Sequence, residues 1–464
     1  MRLPKSFDYR APNVYPRAKR VTLKISAINN TATPGQTSRF MIPCAANSFL
    51  DLANAQLQYT VTTPAPTTGT NFFALDHSAY SLYQSAALYD NNGQQIDQTL
   101  EAGLLMTTLR DIYCSYNSRN SSLGIMEGCL RNPAGAPLVP LNGGGVAGDP
   151  FNLVGVPTCA LNRQGAAGNV AAALALNVST LVPLGSFFSA HKMMPSFQYA
   201  GSPGLRLDLE FAAGWKAIIS PLAVDGTAAS YTISNLYMVV DQITLDDTGM
   251  SMVLAGGPQY YQFSSYALFS QVLQASAATQ TLPLGIRYRA LLNCLVTVNS
   301  NGKQTNNTNM VRAVGNRGNL GSLQMTIDSI NYPQQPMTTA AECLAHLEGA
   351  VRNQNNTLKE SCLNFSEYNN VFADAIGPAV VGTVTKPADL GNYTAGASFC
   401  AMVDLQTDSQ GISNDLVAGL NCSNSDVRIN VAQPAAQPYG TILNVWANHI
   451  RILMIDNGVG RLEF

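Results

Sequence analysis

The chain has 464 residues and a net charge of −2, and Asp, Glu, Lys and Arg make up only 12% of it, against about 25% in typical soluble proteins. This scarcity of charge excludes a coiled coil, a long helical bundle and a charge-rich disordered chain, all of which need many charged side chains. The length exceeds what one hydrophobic core usually supports, so we expect two domains.

The chain begins with a basic segment, and we predict that residues 1–20 form an arm. Residues 1–24 carry seven cations against one acid, Asp8, which gives +6, while the remainder carries −8. Such an arm is suited to nucleic acid, an anionic membrane or an acidic neighbouring subunit, and a solvated tail is the alternative. The seven cations are Arg2, Lys5, Arg10, Arg17, Lys19, Arg20 and Lys24.

Alternation of apolar and polar residues recurs along the chain and predicts half-buried antiparallel strands. Turn pairs such as Asn92-Gly93 and Asp225-Gly226 lie between the alternating segments. The sequence therefore predicts an all-β fold. The alternation is clearest over residues 21–25, 55–61, 205–211, 323–327, 427–431 and 449–454.

Two segments instead have helical spacing. Apolar residues keep a period near 3.6 over Ile96–Tyr113, and Thr339 and Glu342 form a capping box at the start of a helix over Thr338–Arg352. Asp246-Asp247 before Thr248-Gly249 predicts a turn. Residues 133–169 have little periodicity and predict a long loop, which in a β-domain is usually a functional surface or an inter-subunit arm.

The composition changes around residues 223–229, where we place the domain boundary. The prediction is a first domain at 21–225 and a second at 226–464, each a jelly-roll sandwich with short helices and long loops. Such a pair can bind sugars, form an enzyme or build a shell, and the fold alone does not decide between them.

The chain offers little material for catalysis or metal binding. Its four histidines lie far apart, and none of its nine cysteines forms a C-x-x-C pair, which argues against a zinc site and a disulfide framework. Cys343 and His346 are best interpreted as a buried thiol and a surface imidazole. Asp208 and Glu210 share one strand face opposite four large apolar residues, so we expect them on the solvated side of a sandwich rather than in a catalytic pair.

Two further absences shape the prediction. No apolar run is long enough for a transmembrane helix, and the N-terminus has no apolar signal region. Only two tryptophans are present, which is a poor supply of aromatic residues for stacking sugars. We therefore predict a protein without enzymatic activity, cofactor or metal; the alternative is a carbohydrate-binding or carbohydrate-processing β-sandwich.

Several segments, taken in order, resemble the double jelly-roll major capsid proteins of DNA viruses, most of all those of virophages and of polinton-like or adintovirus-type elements. In the first half these are Asn47–Tyr59, Asp76–Gln95 and Val182–Phe188. In the second half, Ile327–Pro336 followed by the capped helix resembles their strand, Tyr-Pro and helix segment, and Ile442–Phe464 resembles their C-terminal strand pair.

The resemblance implies a structural protein of the virion, assembled inside the host cell. Three copies would form a homotrimeric, pseudo-hexameric capsomer that tiles an icosahedral shell beside minor capsid and penton proteins. The basic arm would face inward, toward an internal membrane or the packaged genome. A minor capsid or spike protein is the alternative within this class.

Overall fold

The computed structural model describes most of the strands of both halves and gives no account of several long connections. The described residues are 17–63, 72–75, 78–115, 118, 122–128, 160–163, 175–184, 193–200, 204–219, 230–274, 279–300, 320–355, 363, 380–381, 384–385, 399–406, 419–432, 441–456 and 459–463. Most of the predicted loop at 133–169 lies outside them.

The described residues of the first half form eleven strands and four short α-helices. The helices are α1 (Ala102–Tyr113), α2 (Ser122–Glu127), α3 (Gly214–Ala217) and α4 (Asp247–Leu254). The strands are β1 (Ala18–Ser26), β2 (Thr37–Ile42), β3 (Ser48–Thr62), β4 (Phe72–Leu75), β5 (Tyr83–Tyr89), β6 (Gln95–Leu100), β7 (Ala160–Arg163), β8 (Leu176–Leu181), β9 (Leu205–Phe211), β10 (Ile218–Ile219) and β11 (Thr232–Leu245).

In the second half, the residues that the structure describes form eleven strands and one longer helix, α5 (Ala340–Asn355). The strands are β12 (Gln259–Leu273), β13 (Thr279–Leu284), β14 (Leu291–Ser300), β15 (Ser322–Ile327), β16 (Ile330–Met337), β17 (Val380–Val381), β18 (Val384–Thr385), β19 (Ala401–Asp404), β20 (Val427–Ala432), β21 (Thr441–Asp456) and β22 (Val459–Glu463).

Each half contains two four-strand paths with the same strand order. In the first half the orders are β1-β11-β3-β8 and β2-β9-β5-β6; in the second they are β12-β21-β14-β19 and β13-β20-β15-β16, with β22 added beside β21. All these pairings are antiparallel, and in each half the first strand pairs with the last long strand. This is jelly-roll topology twice over, which confirms the predicted all-β, double jelly-roll fold.

The sheet pairing bears on the predicted boundary at residue 225. β11 follows that boundary, yet it lies between β1 and β3 and completes the first jelly roll. The predicted boundary rests on local composition, and strand partners about 200 residues away leave no signal there. We therefore propose a boundary between Leu245 and Gln259.

Alternating burial fixes which face of each strand meets the core. In β9, Leu205, Leu207 and Leu209 are completely buried while the residues between them are partly exposed. Burying each such side chain contributes roughly 1.5–3 kcal/mol to stability. The strands predicted from alternation are confirmed, and β9 matches its predicted bounds.

One predicted helix is confirmed and the other is only partly right. Thr339 and Glu342 form the predicted capping box, with each side chain accepting from the backbone N–H of the other at 3.1 Å. Of the segment Ile96–Tyr113, which was predicted to be helical, only Ala102–Tyr113 forms a helix. Ile96 and Leu100 lie in β6, and Glu101 takes a positive φ of 46° between strand and helix.

The turn predicted at Asp246-Asp247 is instead the start of α4. The Asp246 carboxylate accepts a hydrogen bond from the backbone N–H of Gly249 at 2.8 Å and caps the helix. No helix in the described ranges is long and apolar enough to span a membrane.

Gly204 provides a test of the packing between β2 and β9. It has a φ of +84°, and a Cβ there would lie 2.1 Å from the carbonyl oxygen of Ile42. We expect Gly204→Ala to lower the free energy of unfolding by at least about 3 kcal/mol, because strain and a backbone clash add. Chemical denaturation measures the loss.

Gly35→Ala is the matched control, since Gly35 has a φ of +78° but nothing within 4 Å of its Cβ position. Its loss should be only about 1 kcal/mol. Equal losses in the two variants would contradict the close approach at Gly204.

Candidate assembly surfaces

The two jelly rolls meet where β6 of the first lies against β12 of the second. Asp97 on β6 is 1% exposed and accepts a hydrogen bond from the Ser265 hydroxyl on β12. Arg451 on β21 donates to the Ile96 carbonyl oxygen at 3.2 Å, and its Nη1 lies 3.8 Å from the Asp97 carboxylate. We call these contacts the seam; they tie the two sandwiches together with polar groups removed from water.

Burial changes the acidity of two groups at the seam. It raises the pKa of Asp97 to about 6, although the Ser265 hydrogen bond and the Arg451 charge act in the other direction. His449, which pairs with Ser265 across the sheet, stacks on Tyr288 with 3.5 Å between ring centroids. Burial lowers the pKa of His449 to about 4. Burial thus shifts the equilibrium of both groups toward the neutral form, relative to the same groups in water.

A second contact joins the halves at the C-terminal hairpin of β21 and β22. A Cβ on Gly460 of β22 would lie 2.8 Å from the Tyr199 hydroxyl of the first half. Tyr199 is completely buried. The absence of a side chain at position 460 therefore permits this close approach.

Two strands, β1 and β16, hold the same sheet positions as the seam strands β12 and β6 but lie exposed on the single chain. β1 occupies in the first jelly roll the place of β12 in the second, and β16 occupies the place of β6. No residue of β1 and only Met337 of β16 is buried, whereas Phe263, Ser265 and Tyr266 in the middle of β12 are buried. Val21 on β1 is 38% exposed and Ile330 on β16 is 59% exposed. The single chain thus presents one edge of each kind that formed the seam.

Four of the seven predicted basic residues lie at or in β1, and the other three lie outside the described residues. Arg2, Lys5 and Arg10 lie outside the described residues. Arg17, Lys19, Arg20 and Lys24 are exposed, and the last three lie in β1, so residues 18–20 of the predicted arm belong to a strand. Their role in binding stays a prediction.

Two of these cations are engaged within the first jelly roll. Arg20 forms an ion pair with Asp241 of β11, and its hydrogen bond lowers the pKa of that carboxyl. The Lys24 ammonium lies 3.7 Å from the centre of the Tyr237 ring. Both contacts stabilise the pairing of β1 with β11.

The acidic pair and the Cys/His pair considered in the sequence lie in ordinary structural positions. Asp208 is ion-paired with Arg39 at 2.9 Å and Glu210 accepts from Ser85 at 2.7 Å, on the outer side of β9 as predicted. Cys343 is buried and His346 exposed, as predicted. Within the described residues, no group of three or more His, Cys, Asp or Glu side chains is placed to hold a metal ion.

Comparisons with known proteins bear on the fold. No protein-family model and no curated protein matches the chain. Among solved structures, PBCV-1 VP54 fitted into a reconstruction of the virophage Sputnik is 13% identical, with a TM-score of 0.56 over 99% of both chains. The Faustovirus major capsid protein is 10% identical, with a TM-score of 0.56 over 98% of this chain and 93% of its own.

The mavirus major capsid protein is also similar, at 10% identity and a TM-score of 0.51 over 100% of this chain and 95% of its own. At these identities the likeness concerns the fold. The described residues form an all-β protein with the double jelly-roll fold of these viral capsid proteins.

Proposed function

We propose that the protein is a major capsid protein whose three copies form a pseudo-hexameric capsomer of an icosahedral virion shell, and that it acts without catalysis or cofactor. The observation that carries the proposal is the seam. Within one chain, a β6-type edge packs against a β12-type edge, and the chain leaves one unused edge of each type, β16 and β1.

Repeating the seam between chains gives a closed ring. The β16 edge of one copy would lie against the β1 edge of the next, so three chains would place six similar sandwiches around one axis. Closed symmetry covers the β1 and β16 edges of every copy, which prevents open-ended assembly through these two strands. The exposed Ile330 and Val21 lie on the two strands that this arrangement buries.

The composition supports wide contacts between copies. Charged residues are depleted from the cores of protein interfaces, and only 12% of this chain is charged. Obligate interfaces commonly bury about 2,000 Å² or more. Size-exclusion chromatography with light scattering tests the assembly: three chains of 49.4 kDa should give a stable species of about 148 kDa. A monomer that binds or hydrolyses glycans would overturn the proposal.

The basic arm is proposed to face the interior of the shell, toward an internal membrane or the packaged genome. Deleting residues 1–16 removes Arg2, Lys5 and Arg10 but spares β1, which begins at Ala18. We expect the truncated chain to trimerise normally and to assemble shells poorly, as judged by light scattering and electron microscopy. Loss of the trimer would show that these residues belong to the subunit contact instead.

A further inference from the structure

The seam within one chain has a direction. Asp97 contacts Ser265 in the middle of β12. Ile96 contacts Arg451, which pairs with Phe263, two residues nearer the start of β12. Moving backward along β6, toward the turn that precedes it, therefore means moving backward along β12 as well.

The turn before β6 lies close to the first residue of β12. A Cβ on Gly460 would lie 3.8 Å from the carboxylate of Asp90, which opens that turn. Gly460 pairs with Ile455 of β21, and Ile455 pairs with Gln259, the first residue of β12. The two seam strands thus run in the same sense, with the β5–β6 turn at the start of β12.

The same geometry between copies places a turn of one chain at the start of β1 of the next. β16 and β1 hold the sheet positions of β6 and β12. The turn Asp328-Ser329 joins β15 to β16, as residues 90–94 join β5 to β6. In a ring of seams this turn therefore meets Ala18 and Lys19 of the next copy, and in this respect the inference rests on the proposed function.

The turn before β16 is acidic and exposed. The backbone N–H of Asp426 donates to the Asp328 carboxylate at 2.8 Å, which holds Asp426 beside the turn. We call Asp328 and Asp426 the acidic turn. The Asp426 side chain is 55% exposed, as is most of its ion-pair partner Arg428, so two acids and one cation leave a net charge of −1. β16 itself contains no charged residue.

Lys19 is the cation of β1 that faces the subunit contact. Side chains alternate along a strand, so Lys19 shares with Val21 the face that the contact covers. Lys19 is exposed in the single chain. Arg20 and Lys24 lie on the opposite face and are held within the first jelly roll.

The acids near Lys19 in its own chain are engaged elsewhere. Asp246 accepts from the backbone N–H groups of Arg17 at 2.9 Å and Gly249 at 2.8 Å. Asp247 accepts from the side-chain amide of Asn47 at 3.3 Å. Neither carboxylate forms an ion pair with Lys19 in the part of the chain that the structure describes. An acid of the next copy is therefore the partner that the geometry offers.

We propose that Lys19 forms an ion pair with the acidic turn of the next copy and thereby fixes the register of the subunit contact. Charges at the rim of an interface select the partner and the register more than they add affinity. Because β16 has no charge of its own, a slipped or reversed pairing of β16 with β1 would carry the acidic turn away from Lys19.

Subunit exchange between trimers labelled with donor and acceptor fluorophores tests the ion pair. Lys19→Glu, and separately Asp426→Lys, which changes the charge of the turn from −1 to +1, bring like charges together. Each should exchange at least about tenfold faster than the wild type in about 0.1 M salt. The combined variant Lys19→Glu, Asp426→Lys restores opposite charges and should exchange within about threefold of the wild-type rate. In about 1 M NaCl the differences should shrink, because the Debye length falls to about 3 Å.

Lys24→Glu is the matched control, since it reverses the same charge on the opposite face of β1, and it should exchange like the wild type. Circular dichroism checks that every variant is folded. Single variants that exchange at the wild-type rate, or a combined variant no slower than the single ones, would overturn the ion pair. A wild-type trimer indifferent to these charges contradicts only this contact, whereas a monomeric wild type in light scattering contradicts the capsomer.

Discussion

The double variant Val21→Asp, Ile330→Asp is expected to convert the 148 kDa trimer into monomers of 49.4 kDa. The two side chains are 38% and 59% exposed in the single chain, so aspartate at either position should leave the fold intact. In the trimer, each would place an unpaired carboxylate in a contact that excludes water, which costs several kcal/mol per interface. Light scattering at micromolar protein concentration measures the change.

Val272→Asp is the matched control, because Val272 is 56% exposed and lies near the end of β12 rather than on β1 or β16. We expect this variant to remain trimeric. Circular dichroism and thermal unfolding should show that all three proteins are folded. A trimeric double variant would show that β1 and β16 are not the subunit contact.

Two opposing pH effects are expected at the seam. The pKa of Asp97 rises from 3.8 to about 6 on folding, so its contribution to stability is complete below about pH 4 and is lost as the pH rises through 6. The pKa of His449 falls from 6.5 to about 4, so its contribution is complete above pH 6.5 and is lost as the pH falls through 4. Each amounts to about 3 kcal/mol, and in the wild type they nearly cancel.

Single substitutions should separate the two effects. Between pH 7 and pH 4.5, Asp97→Asn removes the gain on acidification, so this variant should lose roughly 2 kcal/mol or more relative to the wild type over that interval. His449→Gln removes the loss of stability on acidification, so its free energy of unfolding should rise by a similar amount relative to the wild type over the same interval. Denaturant unfolding at a single protein concentration gives both differences. Parallel pH profiles for all three proteins would mean that neither group titrates as its burial requires.

Local patterns predicted the strands well where one face meets the core. In β9 the alternation of Leu205, Leu207 and Leu209 with polar residues matches the observed burial, because a side-chain period of two has only one consistent orientation at a sandwich surface. The same reasoning failed at Ile96 and Leu100. Their four-residue spacing suits a helix, but pairing with β5 places them in a strand.

Local sequence patterns could not predict which strands pair when they lie far apart in the sequence. The predicted boundary at residue 225 separates β11 from its pairing partners, β1 and β3, because these lie far away in sequence. Asp97 gave no signal either, since an acid in the predicted helix Ile96–Tyr113 is typical of a solvated face. Its burial comes from β12 of the other jelly roll.

Negative-stain electron microscopy of the purified protein tests the ring of seams most directly. The proposed capsomer predicts particles with six lobes of similar size around one axis, two from each chain. Particles with two lobes, or assemblies whose lobes do not close into a ring, would contradict the pairing of β16 with β1 between copies.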